Sequence, residues 1–137
     1  MKIPIKDRSN YLKGLLIIAR KDNQLAESEK IIIRGVAEKL GFATDFYEET
    51  LQSLLTNKYI LDDPLQFSDI KIAKSFVNDG LRLAYSDNKI SDVELGWLKE
   101  TALFNNLDEE WFNTKVELIK NSAPTIMTSD FSLLSII

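Results

Sequence analysis

The residues DNQLAESE at positions 22–29 recur as DNKISDVE at positions 87–94, and this repeated stretch decides the fold. Both copies follow the pattern Asp-Asn-x-(Leu/Ile)-x-(Glu/Asp)-x-Glu, and the second copy begins 65 residues after the first. Apolar residues at helical spacing flank each copy, which predicts two helices joined by a short acidic turn. The Asn after each Asp fits this prediction because Asn tolerates the left-handed conformation in which chains leave helices.

The same 65-residue offset aligns the helical patterns around the two turns. Leu16 aligns with Leu81, and Ala37 aligns with Ala102. One such unit cannot cover its own apolar faces, so two copies are expected to pack around a common core. The sequence therefore predicts an all-α fold, a compact helical bundle built from two pseudo-symmetric helix-turn-helix repeats.

We expect a single domain over residues 1–137, with repeat one at about 9–57, repeat two at about 68–121 and an apolar tail at 122–137. Side chains that favour helix N-caps mark the expected helix starts, namely Ser9, Thr44, Ser68, Ser91 and Asp108. Gly41 is expected to end the second helix as a C-cap residue.

The tail at 122–137 has no Lys or Arg and ends in apolar residues, which would favour aggregation if they were exposed. Two placements stay open for it. It packs on the helices of its own domain, or it docks on a partner chain, a second copy of the protein included.

Composition excludes several classes of function. The chain has 17 basic and 21 acidic residues and a net charge of −4, so nucleic-acid binding is not expected. It has no Cys and no His, which excludes disulfides, thiol or imidazole catalysis and the usual zinc ligands. The longest apolar run is Leu15–Ala19, so no membrane insertion is expected, and no segment resembles a secretory signal. We expect a cytoplasmic protein.

The acidic turns have a structural interpretation. Ser91 and Glu94 stand at the spacing of a capping box, in which both side chains bind backbone N–H groups at a helix start. Ala26 occupies the equivalent position in the first copy, so capping alone does not account for the acids that remain there.

The second interpretation is a cation site. Ca²⁺ and Mg²⁺ prefer oxygen ligands, but neither turn alone has the early ligand positions of a complete calcium-binding loop. A site therefore requires both turns to meet and to pool their carboxylates. The candidate metal ligands are Asp22, Glu29, Asp87 and Glu94, joined by Glu27 and Asp92.

At these residues the chain resembles the tellurite-resistance TerB-like superfamily. The segments from Ala19 to Glu29 and from Ala84 to Glu94 match its repeated Ala-x-x-Asp-Gly…Glu motif, and Leu40–Phe46 is similar to its Leu-Gly-Leu-x-x-x-Phe junction. The departure is Asn at both Gly positions. The resemblance implies a helical bundle with an acidic cluster for divalent metal, in cytoplasmic complexes that sense stress or metal. It does not imply that this protein handles tellurite.

No Gly-rich phosphate loop, nucleophile elbow or His base supports an enzyme, and hydrolysis by a metal-bound water has only the acids in its favour. We expect a non-catalytic TerB-like interaction or regulatory module with an unidentified protein partner and a possible Ca²⁺ or Mg²⁺ site. The alternative is a pure protein–protein interaction domain whose acids only cap helices.

Trp97 and Trp111 are both expected in the core. No spacing singles out any of the four Tyr residues.

Overall fold

The computed structural model describes residues 3–20, 27–56, 63–85 and 92–121. Within these ranges the chain forms six α-helices and no β-strand, which confirms the all-α prediction. The helices are α1 (Ile5–Arg20), α2 (Glu27–Lys39), α3 (Thr44–Thr56), α4 (Ile70–Ala84), α5 (Asp92–Phe104) and α6 (Glu109–Lys120). None of them is long and apolar enough to cross a membrane. The apolar tail and the expected cap Ser91 lie outside the described residues.

The helix starts recur along the chain. The helices α4, α5 and α6 each begin 65 residues after α1, α2 and α3, respectively. The packing recurs as well, because the three helices of each half contact one another. The contact between α1 and α4 joins the two halves.

Equivalent turns end α2 and α5. Gly41 has φ of +89° and Asn106 has φ of +62°, so a left-handed residue follows each helix. In both turns the next N–H reaches back into the helix, from Phe42 to the Ala37 carbonyl and from Leu107 to the Ala102 carbonyl, each at 3.0 Å. This is the Schellman pattern of helix termination, and it confirms Gly41 as a C-cap residue.

Two expected helix starts are wrong. The first helix begins at Ile5 rather than near Ser9, because the Pro4 carbonyl accepts the Arg8 N–H at 3.0 Å and Pro suits the start of a helix. The N-cap of α4 is Asp69 rather than Ser68, since the Asp69 carboxylate accepts the Lys71 N–H at 2.7 Å.

The remaining starts lie close to the expected residues. The sequence predicts Thr44 as the N-cap that precedes α3, but Thr44 is the first residue of the helix itself. Asp108 caps α6 as predicted, and its side chain accepts the Glu110 N–H at 3.1 Å. Trp97 is buried as expected, whereas Trp111 is only half-buried and packs against the edge of the core.

The two central helices, α1 and α4, run in the same general direction. Near their starts, the Asp7 carboxylate accepts hydrogen bonds from the Ser68 N–H, at 3.1 Å, and from the Ser68 hydroxyl. Further along, Ile18 Cδ1 lies 2.9 Å from the point where a Cβ on Gly80 would stand. Residues early in α1 therefore contact the start of α4, and residues late in α1 contact the end of α4. The C-terminal ends of α1 and α4 therefore lie at the same end of the pair.

Asn105 fixes the segment that leads into α4. Its amide nitrogen donates to the Leu65 carbonyl at 2.7 Å and to the Thr101 carbonyl at 2.8 Å. Its amide oxygen accepts the Phe67 N–H at 2.8 Å. The buried Asn105 side chain therefore satisfies backbone groups that would otherwise be buried without partners.

Replacing Gly14 by Ala should destabilise the protein. A Cβ on Gly14 would lie 2.4 Å from Phe76 Cζ, inside the core. We expect Gly14→Ala to lower the free energy of unfolding by about 1–3 kcal/mol, the usual range for overpacking. Urea denaturation measures this change. In the control Gly96→Ala, the new Cβ has no atom within 4 Å, so the variant should gain up to about 1 kcal/mol from helix propensity. Equal stability of the two variants would contradict the close packing.

Replacing Asn105 by Ala should also destabilise the fold, because the Phe67 N–H and the Leu65 carbonyl lose their side-chain partner. We expect a loss of about 2–4 kcal/mol in urea denaturation, since buried polar groups are costly to leave unpaired. The control Asn10→Ala removes a single bond to the Gln66 carbonyl at 3.2 Å near the surface and should change stability by less than about 0.5 kcal/mol. A neutral Asn105→Ala variant would contradict this role.

Candidate functional site

The structure describes only part of the candidate cation site. Asp22 and Asp87 lie outside the described residues. Glu27 and Glu29 belong to the first turn of α2, and their backbone alone is described. The side chains of Asp92 and Glu94 are described, and both residues stand in the first turn of α5.

Asp92 and Glu94 differ sharply in environment. Glu94 is 1% exposed, whereas Asp92 is exposed to solvent. The cause is the helical period, because residues two positions apart do not share a face. These two carboxylates therefore do not face the same volume, and Glu94 is the one that points into the protein.

Glu94 lies near the end of the bundle at which α1 and α4 finish. It precedes Leu98 by one helical turn, so the two side chains share a face of α5. Gly80 belongs to the last turns of α4, and Leu98 Cδ2 lies 2.7 Å from the point where a Cβ on Gly80 would stand. Glu94 is one turn closer to the start of α5 than this contact. The described acid thus approaches the region from which both acidic turns depart.

No three acidic side chains converge within residues 3–20, 27–56, 63–85 and 92–121. Of the six predicted ligands, this covers the side chains of Asp92 and Glu94. Asp22 and Asp87 lie outside the described residues, and the side chains of Glu27 and Glu29 are not described, so this finding does not include them.

A second polar cluster lies in the centre of the α1/α4 interface. The Tyr11 hydroxyl donates to the Asp79 carboxylate, and it lies 2.8 Å from the Ser75 hydroxyl. Because the single Tyr11 proton goes to Asp79, the Ser75 hydroxyl donates to Tyr11. All three residues are buried.

The electrostatics of this cluster keep Tyr11 neutral. Burial raises the pKa of the Tyr11 hydroxyl well above its ordinary value of 10.0, and the negative charge and hydrogen bond of Asp79 raise it further. The Ser75 hydrogen bond lowers the pKa, but it is the smallest contribution. Tyr11 therefore remains a hydrogen-bond donor throughout the physiological range.

The sequence analysis does not predict the Tyr11–Ser75–Asp79 cluster, although the position of Asp79 is a signal for it. Asp79 stands three residues after Phe76 on the apolar stripe of α4, where a charged residue is unusual. The sequence does not indicate that Tyr11 is the partner of Asp79, because Tyr11 is 68 positions away. Tyr11 and Asp79 have no exposed surface, so a substrate would have to part α1 from α4 to reach them. The arrangement fits the positioning of helices rather than catalysis.

Comparison with known proteins adds no assignment. No protein-family model, no curated protein and no solved structure matches the chain.

The raised pKa of Tyr11 predicts how stability responds to alkaline pH. Above pH 10 the unfolded Tyr11 ionises while the folded residue keeps its proton, so stability falls as pH rises. We expect the wild type to lose about 1.4 kcal/mol per pH unit from this residue. The Tyr11→Phe variant should lack that part of the slope, measured by urea denaturation on both sides of pH 10.

Tyr85→Phe is the matched control for this experiment. Burial raises the pKa of Tyr85 as well, but Tyr85 is far less buried than Tyr11. Its removal should therefore change the alkaline slope less. Identical slopes for the wild type and Tyr11→Phe would show that Tyr11 ionises normally in the folded protein.

Proposed function

We propose that the protein is a non-catalytic TerB-like interaction or regulatory module of the cytoplasm, in which the two acidic turns together bind Ca²⁺ or Mg²⁺. The observation that carries this proposal is the common direction of α1 and α4. The turns at 22–29 and 87–94 follow the C-terminal ends of these helices, and those ends lie on one side of the bundle.

Glu94 supports the proposal from the second copy of the repeat. A buried carboxylate interacts more strongly with a cation than an exposed one, because the surrounding protein screens charge less than water does. Carboxylate oxygens are the ligands that both ions prefer. Glu29 stands at the equivalent position, four residues before the buried Ile33, as Glu94 precedes the buried Leu98.

The proposed inner ligands are Asp22, Glu29, Asp87 and Glu94, which come in equal numbers from the two copies. We assign Asp92, which is exposed, to the solvent side, where its charge attracts the ion without direct ligation. A cation held in this way would link the two halves of the bundle. Metal binding and stability would then be coupled.

The interaction role is supported by large apolar side chains on the surface of the described residues. Ile5, Ile31, Ile70 and Val93 are each more than half exposed. Where such side chains form one continuous patch, they mark a surface that contacts another protein. A second copy of the chain and a different protein are both open as partners, and both agree with the alternative in which the acids serve only as helix caps.

Cation binding should raise the melting temperature. At a concentration ten times Kd, a bound ion stabilises a protein by about 1.4 kcal/mol. We expect millimolar Ca²⁺ or Mg²⁺ to raise the melting temperature of the wild type. The increase should be lost in Asp22→Ala combined with Asp87→Ala, and reduced in Glu94→Gln. Calorimetry should show heat of binding for the wild type, weaker binding for Glu94→Gln and no heat for Asp22→Ala combined with Asp87→Ala.

Asp45→Asn is the matched control, because Asp45 is an exposed acid in the first turn of α3, away from both repeated stretches. It should keep the full response to the ion. No heat with either ion at millimolar concentration would rule out the cation site and leave the helix-capping role of the acids.

A further inference from the structure

The central interface joins helices that are alike in position but different in chemistry. At the 65-residue offset, Tyr11 of α1 is equivalent to Phe76 of α4, and Gly14 is equivalent to Asp79. The two rings contact each other edge to face, with centroids 5.4 Å apart. The two helices therefore meet at equivalent positions.

Each aromatic ring also reaches the other helix one turn further on. The Tyr11 hydroxyl donates to Asp79, and the tip of the Phe76 ring occupies the space beside Gly14. These two contacts are equivalent under the offset. They are chemically complementary in different ways: a hydroxyl meets a carboxylate in one, and a bare ring meets a residue without a side chain in the other.

Pairing of like helices would break both contacts. If α4 packed on another α4, Phe76 would replace Tyr11 against Asp79, and the buried carboxylate would lose the phenol hydroxyl. If α1 packed on another α1, Tyr11 would meet Gly14, which offers no carboxylate. A buried polar group that loses a partner destabilises the structure that contains it.

We propose that the Tyr11–Asp79 hydrogen bond selects the pairing of α1 with α4 over the pairing of like helices, and so keeps two similar halves from associating with the equivalent halves of other chains. Buried polar residues fix partner choice between helices in the same way in coiled coils. This role is independent of cation binding, because neither residue belongs to the acidic turns.

The distribution of the polar groups agrees with this selection. Ser75 adds a second hydrogen bond to the Tyr11 hydroxyl from α4, at 2.8 Å. The equivalent residue on α1 is Asn10, whose side chain donates to the Gln66 carbonyl outside both helices. Both hydrogen bonds of the Tyr11 hydroxyl thus go to side chains on α4.

The test removes the chemical difference between the halves in the full-length chain. Tyr11→Phe combined with Asp79→Gly leaves Phe and Gly at the equivalent positions of both helices. We expect this double variant to form species of larger mass than the wild type by size-exclusion chromatography with light scattering. Its melting temperature should rise with protein concentration more steeply than that of the wild type.

The matched control is Tyr47→Phe. The Tyr47 hydroxyl donates to the Lys30 carbonyl at 3.3 Å within one half, so its loss does not affect the pairing of α1 with α4. This variant should keep the mass of the wild type. A folded double variant with the mass and concentration dependence of the wild type would overturn the proposal.

A second variant covers the case in which the double variant does not fold. Tyr11→Phe alone removes the hydroxyl and leaves both the Asp79 side chain and the glycine at position 14 in place. We expect this single variant to form species of larger mass than the wild type, with a melting temperature that rises more steeply with protein concentration. If Tyr11→Phe keeps the mass and the concentration dependence of the wild type, the hydrogen bond does not select the pairing.

Discussion

The close approach of α1 and α4 is the constraint on which the rest of the structure depends. Gly14 admits the tip of the Phe76 ring, and Gly80 admits Ile18 and Leu98. A side chain at either glycine would separate the helices and expose the core between the halves. The common direction of the two helices follows from the same contacts. That direction places the C-terminal ends of α1 and α4 on one side of the bundle.

Polar contacts at the beginning of this pair fix its register. Asp7 binds Ser68 at one end of the segment before α4, and Asn105 binds Leu65 and Phe67 at the other. The connection between the halves is thereby attached to both of them. Apolar packing supplies most of the stability of such a core, whereas these directional bonds determine which of several similar packings is adopted.

The sequence was sufficient for features that depend on neighbouring residues. Periodicity predicted the helices, and Asp108 and Gly41 were recognised because their capping partners lie within five residues. The cap of α4 could not be recognised in this way. Ser68 and Asp69 are both good caps, and the choice depends on Asp7, which takes the Ser68 hydroxyl from 61 positions away.

The same limit applies to the candidate sites. The repeat singles out Glu94 as a candidate ligand, and the helical period accounts for its burial beside an exposed Asp92. Asp79 was missed because its role depends on Tyr11, which no local pattern connects to it. Asn105 was missed for a similar reason, since it aligns with the apolar Leu40 and its partners lie 38 and 40 positions away.

The long separation between Tyr11 and its partners on α4, 64 and 68 positions, affects how the chain folds as it leaves the ribosome. Because α1 is synthesised well before α4, the apolar surface of α1 stays without its α4 partner until α4 has been made. During that interval, nascent chains on one message present identical unpaired helices to each other. Under the proposed selection of the α1–α4 pairing, a hydroxyl on α1 whose carboxylate partner is on α4 would disfavour premature association of these early segments.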